Sequence, residues 1–253
     1  MAAVFEARQR AVKRRLDESG ADLAVCFPGS NLTYLTGFTE SPSERHLLCF
    51  VPRTGPPTLL APALYEHQLE SCPIDDLWVY GDDEDPRDVL KAVVSALGFE
   101  SGASPEPPTT DSGPTVLVDD RMWATFTQDL RTVLPTATFD LASTVLEPIR
   151  VRKDDSELDA LDRAAAIADR VSIEIRSRGT ELVGMTEREL ATEIERRLEA
   201  AGGTGTPFST IVASGPNGAL PHHHSSSREI GAGEPIVLDF GTSVAADSAG
   251  GAY

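Results

Sequence analysis

Two stretches in the second half of this 253-residue chain carry side chains that could do chemistry. The first is Ser214-Gly215-Pro216-Asn217-Gly218-Ala219-Leu220-Pro221-His222-His223-His224. Its glycines and prolines impose a specific backbone path, and the loop delivers imidazoles at its end. The second is Ile236-Val237-Leu238-Asp239-Phe240-Gly241, one acid in an apolar run. Strand alternation would turn Leu238 and Phe240 to the core and leave Asp239 facing a polar cleft. A carboxylate buried there needs a cation or several hydrogen bonds. The same residue could equally open a β-turn and be solvated. Three consecutive histidines do not converge on one metal in extended backbone, because neighbours point to opposite faces. Such a tract can hold a soft divalent ion loosely, but His223 and His224 read better as a surface polar run. No GxSxG elbow, P-loop, GxGxxG or HExxH occurs, so nucleophilic-serine and nucleotide chemistry lack a motif.

The elements that must position these residues differ between the two halves. Residues 3–19 form an amphipathic helix with Phe5, Val12 and Leu16 on one face, closed by Gly20. A strand over 21–27, a turn over 28–31 and a strand-loop-strand over 47–61 follow. Helical patterns at 63–71, 86–97 and 121–133 then alternate with strand-like runs at 77–80 and 115–118. That order predicts a mixed sheet flanked by helices. Residues 101–114, rich in Pro, Ser, Thr and Gly, read as a surface loop. From about residue 150 the pattern changes. Leu158, Leu161, Ala165, Ala168, Val171 and Ile175 give a long amphipathic helix over 155–178. Thr186-Glu187-Arg188-Glu189 is a capping box opening a helix through Leu190, Ile194 and Leu198, closed by Gly202 and Gly203. Strands over 208–213 and 235–240 complete an α+β half. No repeats are visible.

The charge balance removes several function classes. There are 22 Lys and Arg against 40 Asp and Glu, a net charge of −18, and only Lys13, Lys91 and Lys153 are lysines. A general nucleic-acid binder needs a basic face for phosphates, and a polybasic membrane-surface protein needs clustered cations. Neither is expected. An acidic, lysine-poor surface suits a salt-rich cytoplasm, where self-repulsion is screened, and an ordinary acidic cytosolic protein is the alternative. No apolar run reaches the ~20 residues that span a bilayer, and residues 1–15 lack the apolar core of a secretory signal. Cys26, Cys49 and Cys72 are odd in number, lack CxxC spacing and sit beside apolar runs. They read as small core residues in a reducing compartment.

Five segments, in order, resemble the Xaa-Pro dipeptidase (prolidase), aminopeptidase P and creatinase group of metallopeptidases. They are Asn31-Leu32-Thr33-Tyr34-Leu35-Thr36-Gly37-Phe38; Pro148 to Lys153 with Ser156-Glu157-Leu158; Gly184 to Ala191; the loop from Ser214 to His222; and Val237 to Gly241. The resemblance implies an α/β creatinase-like N-terminal domain over 1–150, a mixed sheet flanked by helices. An incomplete α+β pita-bread domain over 151–253 would follow. It further implies two divalent metal ions (manganese, cobalt or zinc), hydrolysis of proline-containing dipeptides or peptides, and a homodimer. By position, Asp239 matches the first metal-ligand aspartate, and His222 matches the histidine that contacts substrate or the tetrahedral intermediate. An imidazole there could hydrogen-bond a developing oxyanion.

The resemblance stops after Gly241. The family's second ligand aspartate lies eleven residues beyond the first, and Gly250 stands there. Asp247 is at the wrong spacing, and the remaining ligands would fall after residue 253. One aspartate cannot hold two dications. The expectation is a C-terminally truncated chain, with a frameshift shortly after Gly241 as one origin, inactive or nearly so, and with 155–240 only partly ordered. Two other readings stay open: a non-catalytic dimerisation or regulatory homologue, and a metal-independent creatinase-like hydrolase.

Overall fold

The computed structural model describes residues 2–70, 72–99 and 113–244. Its contacts divide into two units, Met1–Arg152 and a second that begins at Lys153. The proposed surface loop at 101–114 and Asp247 lie almost wholly or wholly outside the described residues.

In the first unit the order is α1 (Ala2–Ser19), β1 (Leu23–Cys26), α2 (Ser30–Thr36), β2 (Leu48–Pro52), β3 (Thr58–Pro62), α3 (Glu66–Leu69) and β4 (Asp76–Tyr80). Then come α4 (Pro86–Ala96), β5 (Thr115–Val118), α5 (Ala124–Val133), β6 (Thr138–Leu141) and α6 (Ser143–Arg150). The strands form one sheet ordered β4-β3-β2-β1-β5-β6. β1–β2 and β2–β3 are antiparallel and the other pairs parallel, so the sheet is mixed as expected. Every residue of β1, β2 and β3 is buried, because helices cover both faces. Alternation divides the strand residues between two cores. Ala24 and Cys26 pack with Val12 and Leu16 of α1, Leu32 and Leu35 of α2 and Val145 and Leu146 of α6. Leu23 and Val25 pack with Leu90 and Val93 of α4 and Phe126 and Leu130 of α5.

Local chemistry explains the ends. Pro86 occupies the first turn of α4 and Asp85 caps it, accepting from the Arg87 N–H at 2.9 Å. α2, β6 and α6 are additions to the sequence reading. They are short, and the burial of α2 and α6 comes from the sheet they cover rather than from a long helical period. Cys26 and Cys49 face one another in the β1–β2 register and are fully buried, and Cys72 is half-buried. Burial raises all three thiols above their ordinary pKa, Cys72 to about 11.

The second unit contains α7 (Asp155–Ser177), α8 (Glu187–Ala200), β7 (Ile211–Ser214) and β8 (Ile236–Asp239). Both helices open with complete capping boxes, Asp154/Glu157 and Thr186/Glu189. Val171 and Ile175 pack against Leu190, Ile194, Leu198 and Val212. The predicted apolar stripe of α7 holds only in its second half. Leu158 and Leu161 are exposed, because the unit's elements gather against Ile167, Val171 and Ile175. β7 and β8 pair antiparallel, with Ser214 opposite Ile236 and Ile211 opposite Asp239. No described helix is long and apolar enough to cross a membrane.

Candidate functional site

The loop joining β7 to β8 holds His222, and β8 ends on Asp239. β8 alternates as a half-covered strand should. Ile236, Leu238 and Phe240 pack toward the helices, while Val237 and Asp239 are exposed on the other face. The loop lies on that same face: a Cβ at Gly218 would sit 3.4 Å from Val237 Cγ2. The loop at Gly218 and the Asp239 carboxylate therefore lie on the same side of β8. Asp239 is solvent-exposed and needs no buried counter-charge, and among the described residues no hydrogen bond joins it to His222.

His222 is the one non-glycine residue with positive φ among the described residues, at φ 52°. It follows Pro221 at the centre of a turn, the order in which a turn takes proline first and a left-handed residue second. Its side chain is exposed.

The loop is held by a residue that the sequence reading passed over. Glu187, the first residue of α8, has no exposed surface. Its Oε1 accepts from the Ser214 N–H at 2.8 Å, the Ser214 hydroxyl at 2.9 Å and the Asn217 amide at 2.9 Å. Its Oε2 accepts from the Ser226 hydroxyl at 2.7 Å and the Ser226 N–H at 3.1 Å, and lies 2.8 Å from His223 Nε2. Burial by itself would raise this carboxyl's pKa. The bonds from Ser214, Ser226, His223 and Asn217 outweigh it and hold the group well below the usual carboxylate range. The helix N-terminus also favours the negative charge.

His223 is therefore not part of a free surface run. Its side chain is 11% exposed and turned onto Glu187, whereas His224 is exposed as expected. A second pair braces the loop's start. Arg228 bonds Glu234 through both guanidinium arms, and its Nη1 also donates to Ser214 Oγ at 2.6 Å. Gly215 sits beneath this pair with φ 50°, and a Cβ there would lie 2.8 Å from the Glu234 carboxylate. Only glycine meets both demands. No local pattern marks Glu187, since its partners lie 27 to 39 residues away.

A two-metal centre does not fit the side chains of the described residues. Among the described residues no group of three or more His, Cys, Asp or Glu converges to hold a metal ion. Asp239 alone supplies too few donors and too little charge for two dications.

Comparison with known proteins places this geometry. Residues 8–152 match the creatinase/prolidase N-terminal domain, and residues 159–249 match metallopeptidase family M24. A probable dipeptidase PepE of Mycobacterium tuberculosis is 33% identical over 232 residues, covering 88% of this chain and 56% of that protein. An Xaa-Pro dipeptidase of Lactobacillus delbrueckii subsp. lactis is 30% identical over 233 residues, covering 90% and 59%. The crystal structure of a recombinant prolidase from Thermococcus sibiricus superposes with a TM-score of 0.82 at 31% identity, covering 94% of this chain and 61% of that one. The chain thus spans less than two thirds of the length of these relatives. With its N-terminal domain matched over most of its length and an M24 segment behind it, the chain belongs to the creatinase/prolidase family of metallopeptidases.

Proposed function

We propose that this chain carries the N-terminal domain and the substrate-contacting loop of an Xaa-Pro dipeptidase-type hydrolase, divided near residue 150. In this reading His222 contacts the substrate or the tetrahedral intermediate, and Asp239 is a metal-ligand carboxylate. The substrates are proline-containing dipeptides, the metals manganese, cobalt or zinc, the assembly a homodimer, and the compartment a salt-rich cytoplasm. The observation that supports the reading is the shared face: the loop that contains His222 passes, at Gly218, over the same side of β8 that presents Asp239. Because one carboxylate does not hold two dications, the 253 residues by themselves do not turn over.

A chimera tests the reading. Residues 1–241 of this chain are joined to the remaining C-terminal portion of the Mycobacterium tuberculosis dipeptidase. A folded chimera releases proline from an Xaa-Pro dipeptide in the presence of Mn²⁺, and loses that activity in Asp239→Asn and His222→Ala. A folded chimera whose activity survives both substitutions contradicts the assignment.

A further inference from the structure

The Glu187 network does more than fill a buried gap. Its donors span the segment 214–226 at the start of the β7–β8 loop: Ser214 at one end, Asn217 within, His223 and Ser226 at the other. The loop closed in this way contains His222, in its left-handed backbone. A non-glycine residue in left-handed backbone is strained and persists where its surroundings over-determine it. Here the surroundings are identifiable. Pro221 fixes the residue before, and the Glu187 carboxylate fixes the ring of His223 immediately after. The His223 ring is turned onto Glu187 while the His222 side chain beside it is exposed.

We propose that Glu187 is a positioning residue for His222. Through Ser214, Asn217, His223 and Ser226 it holds the exposed His222 imidazole in one orientation, within the loop that passes over the Asp239 side of β8 at Gly218. The assignment rests on the reading of His222 as the side chain that meets substrate, and it adds to that site a residue far from it in sequence.

The test uses the whole 253-residue chain, isotopically labelled, as wild type, Glu187→Gln and Ser226→Ala. The second variant removes one donor and leaves the buried charge in place. NMR reads the His222 backbone through its HN–Hα coupling and carbon shifts, both imidazoles through their ring nitrogen shifts, and amide exchange at Ser214 and Ser226. In Glu187→Gln, His222 leaves the positive-φ region, the His223 ring nitrogens shift, and exchange at both serines quickens by about tenfold or more. The amides of α8 stay protected, which separates loop positioning from loss of fold. Ser226→Ala shows the same changes at smaller amplitude, and it decides the matter if Glu187→Gln does not fold. An unchanged His222 conformation in either folded variant overturns the proposal. If His222 moves as expected while the chimera described above keeps full activity in His222→Ala, the positioning stands and the substrate reading falls.

Discussion

His223 Nε2 lies 2.8 Å from Oε2 of Glu187, a carboxylate with no exposed surface. Two residues, 36 apart in sequence, thereby fix the loop that precedes β8. Glu187 accepts from two backbone N–H groups, two hydroxyls and an amide besides this imidazole, so its charge is dispersed over donors rather than neutralised by one cation.

Removing that charge leaves donors facing donors. Glu187→Gln is expected to destabilise the second unit by ~3 kcal/mol or more, measured by urea unfolding. The pH dependence has a definite sign. The folded pKa lies well below the unfolded value near 4.5, so the contribution is present above that pH and is lost as pH falls toward the folded value. Wild type loses stability between pH 5 and 3 more steeply than Glu187→Gln.

Backbone strain at His222 separates two substitutions of similar chemical effect. Both His222→Gly and His222→Ala remove the imidazole, but only glycine adopts φ 52° without cost. His222→Gly is expected to be the more stable by ~1 kcal/mol in paired thermal unfolding curves.

The first unit contains its own titrating group. His46 is buried against the Phe126 ring, its Nε2 bonded to Asp129 at 2.9 Å. Its Nδ1 has no partner among the described residues. Burial lowers the pKa, and the opposing pull of Asp129 does not restore it. The neutral form is favoured in the fold, so stability falls as pH drops below the unfolded value near 6.5 and levels off below the folded one. Both tryptophans, Trp78 and Trp123, lie in this unit. Fluorescence-detected unfolding at pH 7.5 and 5.5 therefore reports it, and His46→Gln flattens the difference.

Thiol chemistry should be silent in the native chain. All three cysteines have raised pKa values through burial, so little thiolate is present near neutrality. A colorimetric disulfide reagent at pH 7.5 is expected to label none of the three quickly, and all three once the chain is unfolded.

Much of the fold was legible because it is written locally. The stripe of Phe5, Val12 and Leu16, the box Thr186/Glu189 and the β8 alternation all express periods of a few residues, and the structure contains each. What escaped depends on distance. α2 and α6 owe their burial to the sheet beneath them. Leu158 and Leu161 satisfy a helical period yet are exposed, since a period states which residues share a face and not what covers it. Glu187 was hidden inside its capping box, and His223 inside a histidine run, because their meaning comes from each other across the chain.

The most direct test of the account concerns the incomplete donor set. The purified 253-residue chain is incubated with Mn²⁺ and an Xaa-Pro dipeptide, and released proline is measured alongside bound manganese. Since no group of three or more His, Cys, Asp or Glu converges among the described residues, the expected result is fewer than two tightly bound ions per chain and no released proline. Two tightly bound manganese ions per chain, together with turnover, would contradict it.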